Sequence, residues 1–184
     1  MFNRRVMIGG LAALMAFPVA ASAQSMPSSD QILRQLDAAP RNRVRPDQRV
    51  TVREFKRRPE LRRMAPSIDI QSINFGFGSD EIAPSQYGKI ENIARALKQM
   101  QRRRGNTVVL IEGHTDAVGS RDSNLALSER RAASLKRVLV RQFGIPSRML
   151  ETVGYGEDYL LVQTQREEWR NRRVTLRRVD DFLR

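Results

Sequence analysis

Between Thr107 and Phe143 the chain allows one local arrangement: a buried strand, a glycine-bearing turn and a long helix. Thr107 to Glu112 is β-branched and apolar, and Ala117 to Arg121 contains Gly119. From Ser123 onward apolar residues recur at helical spacing up to a stop at Gly144 and Pro146. Across that unit runs one ordered pattern, Gly113-His114-Thr115-Asp116-x-x-Gly119-x4-Asn124-x-x-Leu127-Ser128-x-x-Arg131-Ala132. It sets Asp116 at the strand's carboxyl end and Arg131 about two turns into the helix. Asn124, Ser128 and Arg131 stand at i, i+4 and i+7 and share a helix face, with Leu127 four positions before Arg131.

The flanking segments extend the unit into a small α/β domain. Ile68, Ile70, Ile73, Phe75 and Phe77 nearly alternate, which predicts a strand ending at Gly76-Phe77-Gly78. Pro84 suits the first turn of a helix carrying Ile90, Ile93, Ala94 and Leu97, closed by Arg102-Arg103-Arg104-Gly105. Met149 to Val153 and Arg173 to Val179 read as two further strands. The predicted architecture is a β-α-β-α-β-β sandwich on a mixed sheet, occupying 68–184.

Ahead of it, Ser29-Asp30 can cap a short helix with Ile32, Leu33 and Leu36 at helical spacing, stopped by Pro40. Residues 41–67 carry Pro46, Pro59 and Pro66 and few apolar side chains, so 24–67 reads as a short helix and a basic linker without a core. Arg4-Arg5, the apolar run Val6 to Phe17, Pro18 and Ala21-Ser22-Ala23 have the order of a cleavable export signal over 1–23. The paired arginines leave the general and the twin-arginine export routes both open. An uncleaved membrane anchor is the other reading of this segment. The chain has no cysteine, so the expected export product is not a lipoprotein, and disulfides and thiolate metal sites are excluded.

The net charge is +13, and ten Lys/Arg against Asp47, Glu54 and Glu60 fall within 41–63. Such a segment reads either as a solvated, disordered arm or, in an exported protein, as one attracted to an anionic envelope surface. A nucleic-acid module is the alternative that charge suggests. Aromatic residues make up only 6% and are not interleaved with the basic cluster as a stacking platform requires.

Asp116 and Arg131 have the chemistry to hold a zwitterion. A guanidinium fork takes a carboxylate through two parallel hydrogen bonds, and a carboxylate takes an ammonium. The free N–H groups at the start of the helix favour the anionic end, and Leu127 offers an apolar wall. No catalytic or metal-binding set is expected. His114 and Asp116 are only two residues apart, and Ser128 lies inside a helix without a strained elbow. One histidine and no cysteine leave only carboxylates for a metal.

From about Ser72 to Val179 the chain resembles the OmpA-like peptidoglycan-binding domain family. The resemblance is carried by the pattern above, by Ile73-Asn74-Phe75-Gly76-Phe77, by Gly154-Tyr155-Gly156-Glu157 and by Asn171-Arg172-Arg173-Val174. It implies noncovalent binding of peptidoglycan through the meso-diaminopimelate of the stem peptide, in service of envelope integrity and without a cofactor. Asp116 would take the ammonium and Arg131 the carboxylate. Leu127, Asn124, Thr115 and Phe75 complete the implied ligand-binding set. Asn171, Arg172 and Arg173 either frame the last strand or reach the binding rim. The implied location is the periplasm, at the wall, with the outer membrane as one site of attachment. A stator-type anchor hung from an uncleaved helix would use the same domain. The chain departs from the family at Gly78, where many relatives carry an acid or amide, and in the Asp158 to Arg170 loop with its Trp169.

Overall fold

A computed structural model describes residues 26–73, 75 and 79–184. The export signal predicted over 1–23 and the turn residues Gly76, Phe77 and Gly78 lie outside the described residues. Four strands, β1 (Ser67–Ile70), β2 (Val109–His114), β3 (Leu150–Gly154) and β4 (Arg173–Arg178), form one sheet in the order β1-β4-β2-β3. β2 and β3 are parallel, while β4 runs antiparallel to both β1 and β2. Two helical crossovers produce this mixed sheet. Helix α4 (Tyr87–Arg104) carries the chain from β1 to β2, and α5 (Arg121–Arg141) carries it from β2 to β3. The last strand then inserts between β1 and β2, in the gap that the first crossover leaves. The β-α-β-α-β-β order is the one expected from periodicity.

Element ends differ where tertiary contacts override local pattern. The first strand stops at Ile70, before the predicted Ile73, where its ladder with β4 ends at the Ile70–Val174 pair. β2 runs two residues past the predicted end, since Glu112, Gly113 and His114 remain paired with Thr175, Val174 and Arg173. α5 starts at Arg121 because the Ser120 side chain accepts from Ser123 N and caps the first turn.

Alternation in the strands gives the sheet two buried faces. Ile68, Ile70, Val109, Ile111, Val174 and Leu176 pack beneath α4 and α5, with Ile90, Ile93, Leu97, Leu135 and Leu139. Helix α1 (Ser29–Asp37) joins that core through Ile32, Leu33 and Leu36. Its start is fixed by a capping box between Ser28 and Gln31.

The opposite face corrects the reading of 41–67 as a linker without a core. Helices α2 (Val52–Lys56) and α3 (Pro59–Met64) cover it, and Val50, Phe55, Leu61 and Ala65 pack against Leu110, Val179 and Phe182. Val50 also pairs with Leu183 alongside the chain's end. A buried ionic lock completes the layer. Glu112 of β2 accepts from Arg62 Nε and Nη2 of α3 at 3.1 and 2.7 Å, and from Arg177 Nε and Nη2 of β4 at 2.7 and 3.1 Å. Burial raises the Glu112 pKa. The His114 ring and the two guanidiniums outweigh that and hold the carboxyl far below its ordinary value. Arg62 also lies over the rings of Tyr155 and Tyr159, 4.0 and 3.9 Å from their centroids. Arginine-rich sequence thus folds here because the sheet supplies both the apolar surface and the counter-charge. Among the described residues no helix is long and apolar enough to cross a membrane.

Candidate functional site

The site forms where β2 gives way to α5, and two glycines bring helix and sheet together there. A Cβ on Gly113 would lie 2.1 Å from the carbonyl oxygen of Ser128, and one on Gly154 would lie 2.4 Å from Glu129 N. Neither contact is possible for a larger residue, so α5 rests directly on β2 and β3. Ser128 is fully buried. Its hydroxyl donates to Leu125 O at 2.7 Å and accepts from Gly156 N at 2.9 Å, which ties the helix to the loop after β3.

The Asp116 turn is held from beneath by Asn124. The buried Asn124 Nδ2 donates to Asp116 O at 3.3 Å, Val118 O at 3.2 Å and Glu157 Oε2 at 2.6 Å. Thr115 is pinned through its backbone, donating to Gly156 O at 2.9 Å. Its hydroxyl is buried and has no hydrogen-bond partner among the described residues. Asn124 and Thr115 therefore shape the turn, whereas Asp116 presents its carboxylate.

Asp116 is 7% exposed, and Arg172 binds it. Arg172 Nη1 donates to Asp116 Oδ2 at 2.7 Å and to Glu167 Oε1 at 2.8 Å, while Val118 N donates to Asp116 Oδ1 at 3.4 Å. Sequence reasoning left Arg172 between strand frame and rim, and its backbone position beside β4 hides the reach of its side chain. The Asn-Arg-Arg-Val stretch was the available signal.

Arg131 is the contrasting charge. Its Nε donates to Ser79 O at 3.2 Å, and its guanidinium carbon lies 4.9 Å from the centroid of the Phe75 ring. No carboxylate forms an ion pair with it among the described residues. Burial lowers its pKa first and the nearby Arg172 charge lowers it further, against the opposing pull of Asp116 and Asp80. Leu127, half-buried one turn earlier on α5, stands beside it. The predicted residues Asp116, Arg131, Leu127 and Phe75 thus gather at one end of the sheet, joined by Arg172 and Ser79.

His114 closes β2. It is 2% exposed and lies on the α3 side of the sheet, stacked on Tyr155 at 5.8 Å. Neither ring nitrogen has a hydrogen-bond partner among the described residues, and Nε2 stands 3.7 Å from Glu112 Oε2, too far for one. Burial pushes its pKa down. His114 and Ser128 therefore lie on opposite faces of the sheet, and Asp116 is bound to Arg172 rather than to the imidazole. Among the described residues no cluster of three metal-ligating side chains occurs.

The chain is similar to known proteins in sequence and in fold. The sequence model of the OmpA family matches residues 74–174. The chain is 40% identical over 111 residues to a peptidoglycan-associated lipoprotein of Pseudomonas putida, covering 59% of this chain and 63% of that protein. It is 36% identical over 104 residues to outer membrane porin F of Pseudomonas aeruginosa, covering 55% of this chain and only 29% of the porin. The chain therefore spans less than two thirds of either relative. In three dimensions it is similar to the periplasmic domain of Helicobacter pylori MotB, with a TM-score of 0.51 and 21% identity over 62% of this chain and 75% of that one, a likeness of fold. With the family's sequence model spanning β2, α5, β3 and the start of β4, this chain belongs to the OmpA family.

Proposed function

We propose that this protein binds peptidoglycan noncovalently in the periplasm, gripping the free amino-acid head group of meso-diaminopimelate, and so helps to hold the cell envelope together. The name of the Pseudomonas putida relative and membership of the OmpA family support the wall as target. The observation that carries the diaminopimelate reading is an unmatched pair: a half-buried Arg131 with no carboxylate among the described residues, beside a buried Asp116 whose partner is a movable cation. A ligand bearing both an ammonium and a carboxylate completes both halves. The ammonium takes the place of Arg172 on Asp116, the carboxylate bridges to Arg131, and the displaced Arg172 retains Glu167. Leu127 and Phe75 flank the aliphatic stem, and the buried Thr115 hydroxyl lies on the same turn as Asp116.

The basic layer has a separate part in this reading. Arg49, Arg53, Arg57, Arg58 and Arg63 are exposed on a folded support rather than on a loose arm. Fixed in this way, they attract an anionic envelope surface, an attraction that salt weakens.

The test is co-sedimentation of the purified protein with peptidoglycan sacculi, with free diaminopimelate as competitor. Binding is expected, with release by the competitor. Asp116→Ala and Arg131→Ala should each weaken it by about a hundredfold while the circular dichroism spectrum is retained. Full pelleting of both variants would overturn the assignment. Retention that needs only the basic layer and vanishes in salt would transfer the binding there.

A further inference from the structure

The large apolar side chains exposed among the described residues are Val118, Leu125, Leu161 and Trp169. All four lie at the Asp116 end of the sheet. Val118 is in the β2–α5 turn, Leu125 is near the start of α5, and Leu161 and Trp169 are in the connection from β3 to β4. Scattered apolar residues on a surface need no explanation, but their confinement to the rim of one site does.

The Trp169 segment is built to present its ring. Asn171 is fully buried, and its Oδ1 accepts from Leu161 N and Val162 N at 2.8 and 2.9 Å while its Nδ2 donates to Val162 O at 2.9 Å. Asn171 N donates to Glu168 O at 3.1 Å, and Arg172 N donates to Trp169 O at 3.1 Å. Trp169 is thus set in a tight turn, two residues before the anchor Asn171 and three before the Asp116 partner Arg172. Even so, the side chain is 49% exposed. An indole is a large apolar surface that a chain ordinarily buries.

We propose that Trp169 is a second subsite of the wall-binding site, one that takes a pyranose ring of the glycan strand. The inference rests on the diaminopimelate reading above. The third residue of a stem peptide is joined to its sugar through two amino acids, a reach of roughly 7 Å plus the linking group. On the protein side, Asp116 and Trp169 are linked through Arg172, whose side chain holds the carboxylate and whose backbone N donates to Trp169 O. The axial C–H bonds of a pyranose form an apolar face that packs flat on an indole. Asp116 and Arg131 then select the peptide, and Trp169 selects peptide that is still attached to glycan.

Trp169 is the only tryptophan in the chain, so the unmodified protein carries its own reporter. Two ligands are titrated: a disaccharide–tetrapeptide containing diaminopimelate, and the same tetrapeptide without sugars. Only the first should shift tryptophan emission to the blue, and it should bind about tenfold more tightly. Trp169→Ala should abolish that ratio, and Trp169→Phe should retain most of it. Equal affinities with unchanged emission would sink the subsite while leaving the diaminopimelate reading intact. Equal loss of both ligands in Trp169→Ala would make the ring a support for the loop and also overturn the proposal. If neither ligand binds the wild-type protein, the reading of the site fails and the subsite fails with it.

Discussion

Arg172 occupies Asp116: Nη1 stands 2.7 Å from Oδ2, and the same nitrogen reaches Glu167 at 2.8 Å. A buried carboxylate is neutralised inside the chain by a cation that has somewhere else to go. In the proposed binding mode the ligand's ammonium displaces Arg172, so removing the arginine strips Asp116 of its partner and also clears the site. Arg172→Ala should destabilise the free protein by about 1–3 kcal/mol. Free diaminopimelate should then raise Tm by more in the variant than in the wild type. An equal or smaller ligand-induced shift would mean that Arg172 stays on Asp116 when the ligand binds.

Glu112 is the counter-ion for two guanidiniums from different layers. Glu112→Gln leaves Arg62 and Arg177 buried without a neutralising charge, a change that typically costs about 3–5 kcal/mol. Urea denaturation should show the loss as a lower midpoint. A variant within about 0.5 kcal/mol of wild type would show that water reaches the lock.

Phe55 measures whether the arginine-rich segment is part of the fold. It is fully buried, in edge-to-face contact with Phe182 at 5.5 Å. Phe55→Ala should cost about 3–5 kcal/mol, whereas in a detached arm it would cost nothing. The same denaturation assay decides.

His114 sets the pH dependence near neutrality, since it is the chain's single histidine. Burial lowers its folded pKa below the ordinary 6.5. Between those two values the unfolded state binds more protons, so stability is full above about pH 6.5 and falls as the solution is acidified. His114→Phe should flatten Tm between about pH 7 and 5.5. Glu112, whose folded pKa is depressed, adds its own loss only as the pH falls into and below the ordinary carboxylate range.

Gly113 bears on the site through geometry alone. The Ser128 carbonyl leaves no room for a Cβ there, so Gly113→Ala must push α5 away from β2 and move Arg131 relative to Asp116. Weaker sacculus binding than wild type is expected even under conditions where the variant remains folded. Unchanged binding in a folded variant would show that the two charges tolerate the displacement.

The order of strands and helices from β1 onward, the glycine stops after α4 and α5, and the placing of Asp116 and Arg131 toward one end of the sheet were legible in the sequence. Each depends on residues close in the chain: periodicity, a terminal glycine or proline, and a spacing of fifteen positions. The part played by Asn124 was legible only in outline. Its helix face is a matter of spacing, but its three hydrogen bonds to the turn and to Glu157 require the fold.

What only the tertiary structure decided is the fate of the charges. Residues 41–67 have too few apolar side chains to fold by themselves, and composition therefore reads as a loose arm. The sheet supplies what that segment lacks, because alternation in β2 and β4 sets Leu110, Glu112 and Arg177 on the face opposite α4 and α5. Arg172 is the same case at smaller scale: it lies 56 positions from Asp116, and no local pattern reports a long side chain's reach across a loop. Sequence periodicity determines which residues turn inward. Long-range contacts determine which of the inward charges find a counter-charge, and Arg131 is left without a carboxylate among the described residues.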